Sequence, residues 1–353
     1  MITPPPVDLT SSLFLGRTHP SHSLPGWSAL TTGRPAVLGE PPAAGELARY
    51  VAATQGAAAG IVARSTLHAL VDLMQVLLHP GDVLVLDERV YPLTRWAAGL
   101  AADRGVDMIS YPHHRPGPVA AGRGRVWWAT DGWCPGCNRP APLRRLAALA
   151  SATGGGVVVD DTLAFGVLGR RGEAGFGDGP GTPRWCGVPH EGLVWLASLA
   201  KAHGAPLTVV TGPADVVTAL RRHGGSRAHA SSPTSADLAA AQRSVGDEAG
   251  NAARRAVLVS HVHRLRRRLR AAGVTPVGLP FPLVAVAVPD GTAGPAHRAA
   301  AAAGVRTLPL VPRCGGPAAL GVLLRSDLGA AEVDRAADVL TAVAARRRDG
   351  RAS

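Results

Sequence analysis

Val157–Gly177 reads VVVDDTLAFGVLGRRGEAGFG, and the residues just before it are Gly154-Gly155-Gly156. A short run of β-branched residues bounded by glycines predicts a buried strand. That strand ends on two successive carboxylates, Asp160 and Asp161, and a Gly-rich loop, Gly166–Gly181, follows. Working outward, Leu143–Thr153 predicts a helix before the strand, and Leu193–Ala197 and Leu207–Val210 predict strands after it. Further upstream come helix Glu46–Gln55, an apolar turn Gly60–Arg64, helix Thr66–Leu78 and strand Val83–Leu86. Helix Leu93–Arg104 and strands Asp107–Tyr111 and Arg125–Ala129 complete the series. Strands alternating with helices predict an α/β fold, a mostly parallel sheet with helices on both faces.

Beyond this unit, Thr234–Ala272 predicts one long helical stretch leading out of the domain. The remainder reads as strand Leu283–Val288, helix Pro295–Ala303, strands Arg306–Leu310 and Leu320–Arg325, and helix Ala330–Ala345. A proline suits the first position of that helix. This is a smaller α+β domain. The expected division is residues 1–45 as an N-terminal segment joining the small domain, 46–235 as the large domain, and 236–353 as the small domain.

With 46% hydrophobic and 18% charged residues, the 353-residue chain can bury a substantial core. Its longest apolar stretch, Ile61–Leu78, is interrupted by Arg64, His68 and Asp72, which excludes a spanning helix. Met1–Asp8 has neither a basic nor an apolar leader pattern, so a cytoplasmic protein is expected. The net charge of +12 invites a nucleic-acid reading. Aromatics are only 4% of the chain, however, and the one dense basic run, Arg264–Arg270 (RLRRRLR), reads as a solvated helix face. Neither nucleic acid nor a membrane is expected as a partner.

The 37 basic residues comprise 36 arginines and a single lysine, Lys201. Arginine serves wherever a positive charge alone is needed. Its guanidinium stays protonated and is a poor nucleophile, whereas a lysine amine can lose its proton and condense with an aldehyde. The surviving lysine is therefore a candidate for covalent chemistry.

Two stretches carry a family likeness. Val157–Gly177 resembles the Asp-Glu-Ala-His segment and following Gly-Val-Leu-Gly loop of the α-oxoamine synthase group of fold-type I pyridoxal phosphate (PLP) enzymes, typified by 8-amino-7-oxononanoate synthase. Ser198-Leu-Ala-Lys201-Ala-His-Gly204 resembles that group's segment around its cofactor-bearing lysine. Leu9–Gly16 (LTSSLFLG) is similar to its opening FSSNDYLG, and Leu320–Leu328 to its LRIS segment. The resemblance implies a three-layer α/β/α large domain with a smaller α+β domain, a homodimer with shared sites, and PLP as cofactor. It implies a transferase acting at Cα of an amino acid through an external aldimine and a quinonoid. Carbon–carbon bond formation with an unidentified second substrate is the first choice. An aminotransferase is the alternative, favoured by Tyr91 and Gly204-Ala205-Pro206, and a non-catalytic binding protein retaining the fold is the alternative of another class.

By the same resemblance Lys201 is catalytic, Asp160 pairs with the pyridinium nitrogen, and Tyr91 stands where the family stacks a His on the ring. Ser65 and Thr66 open a helix in the phosphate-loop position, where unpaired N–H groups converge. Ser198 is a further phosphate ligand, and Ser231-Ser232 matches a pair reaching the neighbouring subunit's phosphate. Arg325 would fork onto the substrate carboxylate. Departures fall among reaction-specific positions: Leu163 for a His that bonds the cofactor's phenolic oxygen, Ala200 for a Ser, Leu207-Thr208 for Gly-Gly, and Ser12 for an Asn.

Cys134-Pro-Gly-Cys137 has the spacing of a redox or half-zinc motif. A zinc site needs two more ligands, and neither Cys186 nor Cys314 belongs to a second such pair. A loop disulfide or plain thiols are expected, and no metal.

Overall fold

The computed structural model describes residues 5–24, 30–120, 124–170, 175–289, 291–310 and 314–349. The sequence readings on Met1–Pro4 and on Arg171–Ala174 of the Gly-rich loop lie outside these. The chain begins with β1 (Val7–Asp8) and α1 (Pro42–Gln55). Then come β2 (Ala59–Ala63), α2 (Thr66–Leu77), β3 (Val83–Asp87), α3 (Pro92–Ala102), β4 (Asp107–Tyr111) and β5 (Val126–Asp131). A small hairpin, β6 (Trp133–Cys134) and β7 (Arg139–Pro140), precedes α4 (Leu143–Ser151), β8 (Val157–Asp160), α5 (Thr182–Cys186), β9 (Leu193–Ser198) and β10 (Thr208–Gly212). Helices α6 (Ala214–His223), α7 (Gly225–His229), α8 (Ser235–Gly246) and α9 (Glu248–Ala271) follow. The chain closes with β11 (Leu283–Ala287), α10 (Ala293–Ala302), β12 (Val305–Arg306), β13 (Leu308–Leu310), β14 (Ala319–Leu323) and α11 (Ala330–Asp349).

Seven strands form the large sheet in the order β2-β10-β9-β8-β5-β3-β4. All pairings are parallel except those of β10, which runs antiparallel to both β2 and β9. Side chains alternate between the two faces. Val83, Val85, Trp128, Val157, Val159 and Trp195 point to the side covered by α1, α4 and α8. Leu84, Leu86, Trp127, Val158 and Leu196 point to the side covered by α2, α3 and α6. Full burial of a leucine such as Leu70 or Leu73 of α2 contributes about 1.5–3 kcal/mol.

The small domain is an antiparallel sheet, β11-β14-β13, packed with α9, α10 and α11. The N-terminal segment is stitched to it: β1 pairs parallel with β12, Val7 against Val305, and the Leu9 carbonyl accepts from Leu323 N. Three arginines of the basic run in α9 are engaged within the chain. Arg264 forks onto Asp334, Arg268 reaches Asp338, and buried Arg266 donates to the carbonyls of Val277, Gly278 and Leu279. Among the described residues no helix is long and apolar enough to cross a membrane.

Three local readings are corrected. Gly60–Arg64 is no turn: Ala59–Ala63 is an edge strand paired with β10, and its glycine is required because a Cβ at Gly60 would lie 2.6 Å from the Ala48 carbonyl of α1. The long helical stretch is two helices broken at Asp247, whose side chain caps α9 through Gly250 N and pairs with Arg17. The Arg306–Leu310 strand is split at buried Thr307, with β12 serving the N-terminal pairing and β13 the small sheet.

Candidate active site

Strands β8 and β9 end side by side, and one threonine ties their ends together. Thr162 Oγ1 accepts from Ser198 N at 3.1 Å, while Thr162 N donates to Asp160 Oδ1 at 3.0 Å. The chain then turns through residues 199–207 and returns as β10. The turn is closed by Leu199 N to the Leu207 carbonyl (2.8 Å) and Ala205 N to the Leu199 carbonyl (3.1 Å). Lys201 stands in this turn. Gly204 makes the bend possible: its φ is +65°, and a Cβ there would meet the Arg17 carbonyl at 2.8 Å.

Lys201 and Asp160 are electrostatic partners. Burial pulls the Lys201 amine below the ordinary lysine range, against the opposing charge of Asp160. Burial pushes Asp160 above the ordinary carboxylate range, against the bonds from Thr162 and the charge of Lys201. Asp161 points the other way. It is fully buried, and its Oδ2 accepts from Thr182 N at 2.8 Å and Trp195 Nε1 at 3.0 Å.

Asp131 is a third carboxylate at this strand edge that the sequence reading missed. The reading ended the strand at Ala129, but β5 runs on to Asp131, directly across from Asp160. Both Asp131 carboxylate oxygens accept from Tyr91 N, at 3.2 and 3.0 Å. Burial and the neighbouring Asp160 charge push Asp131 well above the usual range. The Thr-Asp-Gly at residues 130–132, a strand-end carboxylate before a glycine, was the available signal. Tyr91 is thus anchored by its backbone at the start of α3, with its side chain half exposed.

Ser65 caps α2: its Oγ accepts from His68 N and lies 2.8 Å from His68 Nδ1. Thr66 Oγ1 lies 3.0 Å from Thr208 Oγ1, which brings the start of α2 to the end of the Lys201 turn. The first amides of α2 have no acceptors inside the helix. Ser198 Oγ accepts from Ala200 N. Ser232 is buried, its carbonyl accepting from Arg64 Nη1 at 3.4 Å, and Ser231 bridges to Pro35. Arg325 lies in the small domain and is already engaged: Nε donates to Asp327 Oδ1 and Nη1 to the Asp8 carbonyl, both at 2.9 Å. Leu163 follows β8 and packs against the small-domain core. Cys134 and Cys137 form no disulfide; both are free thiols.

A half-buried amine with a depressed pKa, a carboxylate at the neighbouring strand end and a helix N-terminus alongside make a donor set that fits PLP. It offers a nucleophile for an aldehyde, a partner for a ring nitrogen and amides for a phosphate.

No protein-family model matches the chain. It is 30% identical over 241 residues to 8-amino-7-oxononanoate synthase of Acidithiobacillus ferrooxidans, an alignment spanning 67% of this chain and 59% of that relative's length. It is 25% identical over 273 residues to a putative 8-amino-7-oxononanoate synthase of Thermosynechococcus vestitus, 75% of this chain and 67% of that protein. Among solved structures, serine palmitoyltransferase of Sphingomonas wittichii superposes with a TM-score of 0.83 at 17% identity, covering 97% of this chain and 88% of that one. The 8-amino-7-oxononanoate synthase of Francisella tularensis gives 0.78 at 16%, covering 96% and 97%. The fold is therefore that of the fold-type I PLP-dependent transferases.

Proposed function

Because the chain is a divergent relative of the 8-amino-7-oxononanoate synthases on this fold, we propose that it is a PLP-dependent transferase that makes a carbon–carbon bond at Cα of an amino acid, with an electrophile other than the family's ordinary acyl-CoA. The carrying observation is the placement of the chain's only lysine in the turn that follows β9, beside the end of β8 that carries Asp160. When bound, PLP supplies an electron sink that lowers the barrier to breaking a bond at Cα.

The chain's own residues do the rest. Lys201 would hold the cofactor aldehyde covalently, and its neutral amine would move a proton at Cα of the amino acid. Its lowered pKa favours the neutral amine that both tasks need. Asp160 keeps a proton on the ring nitrogen. Ser65, Thr66 and the first amides of α2 hold the phosphate together with Ser198, while Tyr91 covers the ring face. Arg325 exchanges its bond to Asp327 for the substrate carboxylate. The working unit is the large domain, residues 46–235 extended by α8, whose Leu238, Ala240 and Ala241 pack on the large sheet, with the remaining residues to 353 as the small domain closing over it and the segment 1–45 joining the latter.

The test is chemical. Borohydride reduction of the purified yellow protein, followed by peptide mass spectrometry, should place a pyridoxyl adduct on the Lys201 peptide. A visible-absorbing protein with the cofactor fixed elsewhere overturns the reading. The likeness of Ser231-Ser232 to a pair that reaches the neighbouring subunit's phosphate further supports a homodimer in which each subunit completes the other's phosphate site. Light scattering of the cofactor-loaded protein should give twice the chain mass, and an active, loaded monomer rules this out.

A further inference from the structure

The Cys134–Cys137 pair does not stand alone, as the sequence reading had it. The fold carries Cys314, from the small domain, and His113, from the turn after β4, to the same point. The His113 ring nitrogen and the three Sγ atoms all lie within 4.8 Å of one another. Cys134 Sγ is 3.4 Å from Cys314 Sγ, and His113 Nε2 is 3.4 Å from Cys137 Sγ. Tetrahedral zinc with bonds of about 2.3 Å to sulfur sets its sulfurs roughly 3.8 Å apart. The cluster is close to that size.

The histidine is oriented for the task. Its Nδ1 donates to Asp87 Oδ1 at 2.7 Å, and Asp87 is buried and held in turn by Arg89 N and His114 N. This fixes the proton on Nδ1 and turns the Nε2 lone pair toward the thiols. A carboxylate behind a histidine is the usual support of a metal-bound imidazole.

We propose that His113, Cys134, Cys137 and Cys314 bind one zinc ion as a closed, four-ligand site that clasps the small domain to the large one. Three thiolates with one imidazole suit zinc, and four protein ligands leave no open position, so the role is structural. Binding releases the three thiol protons to solvent. The hairpin that carries two of the ligands is already pinned to the small domain. Trp133 stacks on Phe281 with ring centroids 4.5 Å apart, and Asn138 Nδ2 donates to the Leu283 carbonyl at 2.7 Å. Cys134 lies three residues beyond Asp131 at the active-site edge, and Cys314 opens the stretch that leads through β14 to Arg325. The clasp thus sets the position of the proposed carboxylate-binding arginine relative to Lys201.

Elemental analysis of the purified protein, expressed with zinc supplied, should find about one zinc per chain. Cys314→Ser and His113→Asn should each lower this at least fivefold, while Cys186→Ser, outside the cluster, should leave it unchanged. Cobalt substitution should give the visible d–d absorption of a tetrahedral thiolate site. Stripping the metal with chelator should lower the thermal midpoint of the wild-type protein. A wild-type protein that holds no zinc, or one in which Cys134 and Cys314 are joined as a disulfide by mass spectrometry, overturns the proposal. Zinc content equal in wild type and Cys314→Ser would mark the ion as adventitious and overturn it equally.

Discussion

Asp160→Asn is expected to cut turnover at least a hundredfold, whereas Asp161→Asn should leave most of it. Successive residues at a strand end face opposite sides of the sheet. Asp160 lies on the side opposite Asp161, tied through Thr162 to the start of the Lys201 turn, and Asp161 accepts from Trp195 and Thr182. An asparagine at 160 is neutral and cannot hold the ring nitrogen's proton. Losing one preorganised electrostatic contact at a reacting centre costs about 10²–10³ in rate. At 161 the amide oxygen can still accept from Trp195 Nε1 and Thr182 N. Asp161→Ala removes that acceptor and strands two buried donors, at about 1–3 kcal/mol each. It should therefore lower stability where Asp161→Asn does not.

A pH signature separates these roles. Burial pushes Asp161 up to about 7, well above the ordinary aspartate range, so the folded state binds this proton more tightly than the unfolded chain does. Its contribution to stability is fully present below about pH 4 and is lost as pH rises through 7. Urea midpoints measured between these limits should show this component in the wild type and not in Asp161→Asn. Equal profiles, or an inactive Asp161→Asn beside an active Asp160→Asn, would place the ring partner one residue later.

Short acyl-CoA thioesters with alanine or glycine should be poor substrates. Where the family resemblance implies a histidine this chain has Leu163, which packs against the small-domain core. A leucine donates no hydrogen bond to a phenolate or an acyl carbonyl. Loss of a charge-assisted hydrogen bond costs about 1.5–3 kcal/mol, or roughly one to two powers of ten in rate. Thiol release from a panel of acyl-CoAs and amino acids measures this directly. Turnover of about 1 s⁻¹, at the low end of ordinary enzyme rates, would show that Leu163 is no obstacle. A keto acid product without thiol release would instead indicate transamination.

The parts of this molecule that were legible in the sequence are those in which the signal is local. Val157-Val-Val159 declares a buried strand, and Lys201 is conspicuous because every other basic side chain is arginine or histidine. The large sheet's periodicity marked its core strands within a residue or two. The failures share a different cause. Residues 59–63 looked like a turn because their strand character comes from β10, some 150 positions away, and from the helix that leaves room only for Gly60. Asp131 was lost at the frayed end of an otherwise correct strand. The bond that Asp327, two residues on, makes to Arg325 was not legible in the sequence either. The metal cluster was illegible for the plainest reason. Its ligands are separated by up to 201 positions, and spacing rules see only ligands that are neighbours along the chain.

The pairing of β1 with β12 has a consequence for biosynthesis. As the polypeptide emerges from the ribosome, every strand of the large sheet is available once residue 212 is out. Leu9, Phe14 and Leu15, all fully buried in the finished molecule, must wait for partners between positions 254 and 326. For most of translation this apolar stretch has nowhere to dock, and pairings so distant in sequence are slow to form. The nascent chain therefore exposes a sticky segment until the last third of these residues is made, and that interval is when chaperones would matter most for this protein's yield.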